Sequence, residues 1–220
     1  MIISGAFGLF EKKTVIAVGG YDNSTMGEDM ELVVRLHEFS RMNRKPYKIQ
    51  FAQDAICWSQ TPEKLSELGK QRKRWQRGLF QCMWRHRKML ANPRYGAVGL
   101  LSYLYFLFYE LLSPFIELFG ILTMVLSVMM DMLNVKFMLV FLAFYALYGI
   151  LLTLTAYFSR IYTIDQRLSF RELSLAITAC FFETTFLRFY LAFVRVTAFV
   201  GYKKNKLNWG KLERKKMNGI

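Results

Sequence analysis

One five-residue stretch carries side chains suited to sugar-diphosphate chemistry. It places an amide, a permanent cation and a large aromatic ring close together, at Gln71, Arg74 and Trp75. Residues three and four apart share one face of a helix, so the three side chains would lie together. An indole face can stack on a pyranose, a guanidinium fits a pyrophosphate better than lysine does, and an amide can donate to and accept from sugar hydroxyls. The alternative is a solvated basic face with Trp75 as a membrane anchor.

A pair of carboxylates, Glu28 and Asp29, follows a turn and opens a predicted helix. Acidic residues in a first helical turn suit the helix dipole, so the pair has an ordinary structural explanation. The functional alternative is general base catalysis, in which a carboxylate takes the proton of a sugar hydroxyl as that hydroxyl attacks an anomeric carbon. The spacing alone does not separate the two interpretations.

The elements that must position these side chains are predicted to be mixed α/β up to residue 60. Glu28 to Phe39 has helical periodicity, whereas Tyr47 to Phe51 and Ala55 to Trp58 are short apolar runs typical of strands. A second helical pattern runs from Glu63 to Met89 and ends at Asn92-Pro93. Its apolar face could lie on a sheet or along a membrane interface.

The second half of the chain is strongly apolar, and hydrophobic residues make up 54% of the whole sequence. Pro114 to Met132 and Leu133 to Phe158 are predicted to be an outgoing and a returning membrane span, with Gly96 to Ser113 at the interface. Charges interrupt Leu173 to Tyr202, so this segment is expected to be interfacial or re-entrant. The sequence therefore predicts two to four spans.

Basic residues give the chain a formal net charge of +14 and flank the apolar region. Such clusters are typical of cytoplasmic segments beside membrane spans. They comprise Lys64, Lys70, Arg72, Lys73, Arg74, Arg77, Arg85, Arg87, Lys88 and Arg94 before the apolar region, and Lys203, Lys204, Lys206, Lys211, Arg214, Lys215 and Lys216 after it. Nucleic-acid binding is the weaker alternative, because the intervening apolar spans would be insoluble without a bilayer.

The remaining composition bounds the chemistry and the location. Three widely spaced cysteines and two histidines predict neither a disulfide framework nor a zinc site. The amino terminus lacks the basic and apolar regions of a signal peptide. We therefore expect a multi-pass protein of the cell membrane, with its polar half and its carboxyl-terminal tail in the cytoplasm.

A family resemblance is carried by four stretches: Ser4–Phe10, Val18–Tyr21, Gly27–Leu32 and Gln71–Trp75. Together they closely resemble the catalytic second half of the processive family 2 glycosyltransferases, the membrane synthases of cellulose, hyaluronan and poly-N-acetylglucosamine. The tail from Asn208 to Arg214 also resembles the cytosolic end of bacterial members. The resemblance covers most of the chain.

The resemblance implies roles for the residues already singled out. The family's Thr-Glu-Asp motif, which has Gly27 in place of the threonine here, would make Asp29 the catalytic base with Glu28 beside it. The Gln-x-x-Arg-Trp motif would contact the donor diphosphate and frame the acceptor end of the polymer. Phe7 and Gly8 would line the acceptor site, on a less specific match. The donor is expected to be a nucleotide-diphosphate sugar and the acceptor a polysaccharide.

The resemblance also implies a fold and a domain order. We expect an α/β, partial GT-A-like catalytic region followed by an all-α membrane region. The boundaries are residues 1–95 for the catalytic part with its interface helix, 96–202 for membrane and interfacial helices, and 203–220 for a basic cytosolic tail.

This sequence departs from the family pattern in one motif. The GT-A fold begins with a nucleotide-binding half whose Asp-x-Asp motif holds a divalent metal, Mg or Mn, and this sequence contains no Asp-x-Asp. The metal is therefore expected only in the complete enzyme, and the chain is expected to be the carboxyl-terminal portion of a synthase. A separate amino-terminal half and the lipid bilayer are the expected partners, and nucleic acid is not one.

The sequence leaves three alternative functions open. The first is a membrane glycosyltransferase that transfers a sugar, N-acetylglucosamine by likeness to bacterial members, with inversion at the anomeric carbon. The second is a non-catalytic membrane partner or remnant of a split or truncated synthase. The third is a small transporter or channel subunit, favoured by Glu110, Glu183 and Arg188 within apolar sequence, but it leaves the glutamine, arginine and tryptophan motif unexplained.

Overall fold

A computed structural model of the chain describes residues 5, 8–44, 49–50, 52, 57, 59–164 and 169–202. The regular elements within these ranges are helices. The α-helices are α1 (Lys12–Ala17), α2 (Glu28–Met42), α3 (Leu65–Arg85), α4 (Tyr103–Tyr105), α5 (Ser113–Met129), α6 (Val135–Ile164), α7 (Phe170–Phe182) and α8 (Arg188–Val196). The 3₁₀ turns are Arg87–Met89, Pro93–Tyr95 and Thr197–Phe199, and the π-helical segments are Val98–Ser102, Phe106–Leu111 and Glu183–Leu187.

The predicted α/β character of the catalytic region is wrong for the part of the chain that the structure describes, which contains helices and no strand. Short apolar runs have no periodicity of their own, so sequence alone cannot separate a strand from a helical turn there. A strand also needs a neighbouring strand for its backbone hydrogen bonds, and the described ranges supply none. Most of the two expected strands, Tyr47 to Phe51 and Ala55 to Trp58, lies outside the described residues.

The two long helices of the polar half begin and end close to the predicted positions. Helix α2 starts at Glu28, and its first turn carries three acidic residues that complement the positive end of the helix dipole. Helix α3 begins at Leu65 and runs to Arg85. Asn92 ends this region as predicted, because its side chain accepts the backbone N–H of Arg94 and starts a 3₁₀ turn.

The described residues divide into two compact units. The first contains the residues up to Ser113 together with those from Val194 on. Its apolar core joins α2 and α3 to the segment that follows them, and it comprises Val34, Leu79, Cys82, Met83, Met89, Tyr95, Tyr103 and Leu111. The hydroxyl of Tyr103 donates a hydrogen bond of 2.5 Å to the carbonyl of Met83, which links α4 to α3.

The second unit is Pro114–Phe193. Its helices expose many large apolar side chains, as expected for surfaces that face lipid rather than water. A methyl group on Gly149 would lie 2.6 Å from Cγ2 of Thr184. The glycine therefore allows α6 to approach the π-helical segment Glu183–Leu187 closely. Arg188 donates to Oε1 of Glu117 through Nε (3.1 Å) and Nη2 (2.8 Å), which pairs two charges within apolar sequence.

Two described helices, Val135–Ser159 and Phe170–Phe199, are long and apolar enough to cross a membrane. The broken pair Val98–Leu111 and Ser113–Met129 would raise the number to three if it forms one span. The first of these helices coincides with the predicted span from Leu133 to Phe158. Both numbers fall within the predicted range of two to four.

Candidate active site at the meeting of two helices

The carboxylate pair lies at the amino-terminal end of α2. Glu28 and Asp29 are the first two residues of the helix, and both side chains are partly exposed. The Asp29 carboxylate packs against Gly5, where an added methyl group would overlap it and would lie 2.7 Å from Cβ of Asp29. The structure thus places the proposed base against the amino-terminal stretch in which the acceptor lining was expected.

The glutamine, arginine and tryptophan motif lies in the amino-terminal half of α3. Gln71 and Arg74 are partly buried, whereas Trp75 is 49% exposed. The guanidinium of Arg72 lies 4.7 Å from the centre of the Trp75 ring, a cation–π contact that holds the indole in place. A ring held in this way and half exposed can receive the apolar face of a sugar.

Helices α2 and α3 meet at two glycines. Gly27, the residue before α2, packs backbone to backbone on Gly78 of α3, since a methyl group on Gly78 would lie 2.9 Å from the Gly27 nitrogen. Arg74 lies one helical turn before Gly78, a rise of about 6 Å, and Asp29 lies two residues after Gly27. The contact therefore brings the carboxylate pair and the motif to the same region of the first unit.

Polar contacts of Gln81 and Arg85 also hold the loop before α2 against α3. The backbone N–H of Met26 donates a 2.8 Å hydrogen bond to Oε1 of the buried Gln81. Arg85 contacts the Asp22 carboxylate and donates a 3.0 Å hydrogen bond to the Ser24 hydroxyl. Hydrogen bonds from Ser24 and the Arg85 guanidinium lower the pKa of Asp22 to about 2, so this carboxylate is ionised at neutral pH.

A cluster of ionisable side chains lies between the two helices, around the buried Glu31 and His86. Glu31 is 1% exposed, and its carboxylate lies 2.8 Å from Nη2 of Arg35, 3.2 Å from Nε2 of His86 and 3.8 Å from Nη1 of Arg85. Nδ1 of His86 lies 2.5 Å from Oε2 of Glu38. The cluster links α2, which carries the proposed base, to the end of α3.

Neither this cluster nor the glycine contact was predicted from the sequence. Helical periodicity puts Glu31 on the same polar face of α2 as Arg35 and Glu38, and the sequence does not show that residues of α3 would cover that face. Gly78 did leave a signal, since a glycine inside a helix costs about 1 kcal/mol relative to alanine and often marks a close approach.

The opposite side of α3 is held by the returning chain after residue 194. Gln76 is 2% exposed, and its amide donates to the carbonyl of Leu111 (2.9 Å) while its oxygen accepts from Nε of Arg195 (2.8 Å). Arg77 donates a 2.7 Å hydrogen bond to the carbonyl of Ala198. Arg195, a charge that interrupts the last apolar segment, therefore has a packing role in this unit.

The weaker acceptor-site prediction is only partly visible. Phe7 lies outside the described residues. Gly8 is exposed, and a methyl group there would meet the edge of the Phe10 ring. The structure does not bring Gly8 to Asp29 in the way that it brings Gly5.

A divalent metal was expected only in the complete enzyme, because this sequence contains no Asp-x-Asp. Within the described ranges, no group of three or more histidine, cysteine, aspartate or glutamate side chains is arranged to hold a metal ion. The described donors do not fit a divalent cation, and we assign no step of the chemistry to one.

Comparisons with known proteins show the family of the chain. A family model described as "Glycosyl transferase family group 2" matches residues 1–199. The chain is 37% identical over 83 residues to a poly-beta-1,6-N-acetyl-D-glucosamine synthase of Staphylococcus aureus (strain COL), a match that covers 38% of this chain and 19% of that protein. A synthase of the same name from Staphylococcus epidermidis (strain ATCC 35984) is 36% identical over 83 residues, with the same coverage. No solved structure matches significantly.

Proposed function

The chain belongs to glycosyl transferase family group 2, and we propose that it forms the acceptor and leaving-group side of a membrane polysaccharide synthase. The donor is a nucleotide-diphosphate sugar and the acceptor is the growing polymer. The likeness to two poly-beta-1,6-N-acetyl-D-glucosamine synthases favours N-acetylglucosamine as the sugar. These relatives extend well beyond the matched 83 residues, so the activity of the complete protein is part of the proposal.

The observation that carries the proposal is the contact between Gly27 and Gly78. It joins the residue two positions before Asp29 to the α3 residue one helical turn after Arg74, which supports a site shared by the two helices. An inverting transfer needs a base on one side of the anomeric carbon and a cation on the leaving group at the other. Two helices that meet at their backbones can hold these groups on either side of one sugar.

In the proposed reaction the acceptor hydroxyl oxygen attacks the anomeric carbon of the donor sugar. Its proton passes to the Asp29 carboxylate, beside which Glu28 lies at the start of α2. The bond from the anomeric carbon to the phosphate oxygen breaks, and the nucleoside diphosphate leaves with the bonding electrons. The transition state has oxocarbenium character, so negative charge nearby stabilises it.

The motif on α3 serves the other partners of the reaction. Arg74 binds the departing diphosphate with its planar guanidinium. Trp75 stacks on the acceptor sugar while Gln71 exchanges hydrogen bonds with its hydroxyls. In the complete enzyme a divalent metal would neutralise charge on the diphosphate, and its ligands would come from outside the residues described here.

The membrane location is also a proposal. It rests on the apolar helices Val135–Ser159 and Phe170–Phe199 and on the basic residues before and after the apolar region. We propose the boundaries 1–95, 96–202 and 203–220 for the catalytic part, the membrane part and a cytosolic tail. The catalytic part then lies in the cytoplasm beside the bilayer.

The alternative is that the chain contributes acceptor-side elements to a larger synthase without catalysing transfer alone. The match to the relatives covers 19% of their length, which favours it. Calorimetric titration of the purified chain with uridine diphosphate and magnesium separates the two. Micromolar binding supports an autonomous enzyme, whereas no binding supports a partner that needs a donor-binding half.

A further inference from the structure

The buried cluster between α2 and α3 lies close to the proposed base in sequence but is not part of the reacting groups. Glu31 is the fourth residue of α2, and three side chains contact its carboxylate: the guanidinium groups of Arg35 and Arg85 and the imidazole of His86. A carboxylate that is 1% exposed is stable only when paired in this way. The cluster therefore fixes where the first turns of α2 can sit.

His86 is held on both sides. Its Nε2 faces Glu31 and its Nδ1 faces Glu38, and the ring is 4% exposed. The imidazolium form can donate to both carboxylates, whereas a neutral ring donates to only one. The ring thus bridges two positions of α2 that lie seven residues, and almost two full helical turns, apart.

The direction of Asp29 follows from the position of Glu31. The two residues are two apart in a helix, so their side chains point in directions that differ by roughly 200°. With Glu31 drawn toward His86 on one side of α2, Asp29 is turned toward the other side, where Gly5 lies against its carboxylate. A rotation of α2 about its axis would move both side chains together.

We propose that Glu31 and His86 are positioning residues that set the rotation of α2 and thereby aim Asp29 at the acceptor. The inference rests on the proposed role of Asp29 as the base. Glu31 and His86 affect the reaction through the position of α2 and do not touch substrate. Misplacement of a reacting group by about 1 Å can cost a hundredfold in rate, so a small rotation is enough to matter.

Glu38 provides the matched control. It contacts the same imidazole but is 29% exposed and lies further along α2, away from Asp29. Because Glu31 and Glu38 point within about 20° of each other around the helix, their contacts with His86 are similar in kind. Glu38→Gln should weaken the hold on His86 and leave the pairing of Glu31 intact.

The experiment uses the full chain in detergent with Cys57→Ser and a cysteine pair, Gly5→Cys and Asp29→Cys. The Cβ atoms at these two positions are close enough for a disulfide to form after a small adjustment. We expect rapid cross-linking in the parent pair and in the Glu38→Gln background. In the Glu31→Gln background we expect the cross-linking rate to fall at least about tenfold.

If Glu31→Gln fails to fold, as judged by thermal unfolding, Glu31→Asp takes its place. It retains the buried charge but shortens the side chain by one methylene, so positioning predicts slower cross-linking while a purely charge-burying role predicts no change. Cross-linking at the parental rate in a folded Glu31 variant would overturn the inference. A loss as large in Glu38→Gln would do the same.

Activity gives a second readout that separates this inference from the proposed function. In membranes, Glu31→Asp should lower kcat at least about tenfold with little change in the donor KM, because the diphosphate-binding groups are on α3. Retained transfer by Asp29→Asn would overturn the proposed function, and the inference with it. Loss in Asp29→Asn with full activity in Glu31→Asp would overturn the inference alone.

Discussion

Gly27 and Gly78 lie backbone against backbone, so closely that a methyl group on Gly78 would come within 2.9 Å of the Gly27 nitrogen and 3.1 Å of its Cα. This contact sets the separation of the helix that carries Asp29 from the helix that carries Arg74. In the proposed reaction these two side chains act on opposite sides of one anomeric carbon. The glycine contact is therefore the packing feature on which the proposed reaction most depends.

Gly78→Ala should push α2 away from α3. The new methyl group meets backbone atoms, which cannot rotate aside, so we expect a loss of about 1–3 kcal/mol in the free energy of unfolding despite the better helix propensity of alanine. Transfer should fall more steeply than stability, because the reacting groups separate. Thermal unfolding and a transfer assay on the same preparation measure both.

Gly120→Ala is the control for that variant. Gly120 also lies within a helix, and a methyl group there would meet nothing within 4 Å. Stability should stay level or rise by up to about 1 kcal/mol. Equal losses at the two glycines would contradict the importance of the contact.

Gly5→Ala should displace the Asp29 carboxylate. A methyl group at Gly5 overlaps that carboxylate and lies 2.7 Å from Cβ of Asp29, which rotation about χ cannot move, so the backbone must shift as well. We therefore expect a loss of about 1–3 kcal/mol in the free energy of unfolding and a fall in kcat of at least about tenfold, with the donor KM nearly unchanged. An unchanged kcat in steady-state assays would show that Asp29 is not held by Gly5.

Two glutamines of α3, five residues apart, should behave differently. Gln76→Leu removes the buried partner of Arg195 and of the Leu111 carbonyl, so the free energy of unfolding should fall by about 2–4 kcal/mol. Gln71→Leu should change stability by less than about 0.5 kcal/mol, since its side chain is partly exposed, and should reduce transfer. Urea or thermal unfolding beside a transfer assay distinguishes them, and the reverse pattern would contradict the site.

The cysteines should differ in reactivity. Burial raises the pKa of the Cys82 thiol to about 12, whereas Cys57 is exposed. At pH 8 iodoacetamide should modify Cys57 rapidly and Cys82 only after denaturation. An unfolded thiol ionises near pH 8.5, so the stability linked to Cys82 is complete below that pH and declines as the pH rises toward 12. Mass spectrometry of labelled peptides tests the first point, and rapid labelling of native Cys82 would contradict it.

The sequence predicted the two helices that carry the candidate site but not how they pack. Helical periodicity and the acids at Glu28 and Asp29 predicted where α2 begins, because both signals are local. The described residues contain no strand, and most of the two expected strands lies outside them. Strands are also hard to predict because their pairing depends on partners distant in sequence. The burial of Glu31 was missed for a similar reason: a glutamate on a polar face is buried only if cations from another helix meet it.

The most direct test of the account is the transfer of labelled N-acetylglucosamine from its uridine diphosphate donor into polymer by membranes that contain the protein. Asp29→Asn keeps the size of the side chain and removes the base, so we predict that the rate of transfer falls at least about a hundredfold, with normal expression and thermal unfolding. Polymer synthesis by Asp29→Asn at the parental rate would contradict the role of Asp29 as the base. Parental membranes without transfer would contradict catalysis by this chain and support the role of a partner.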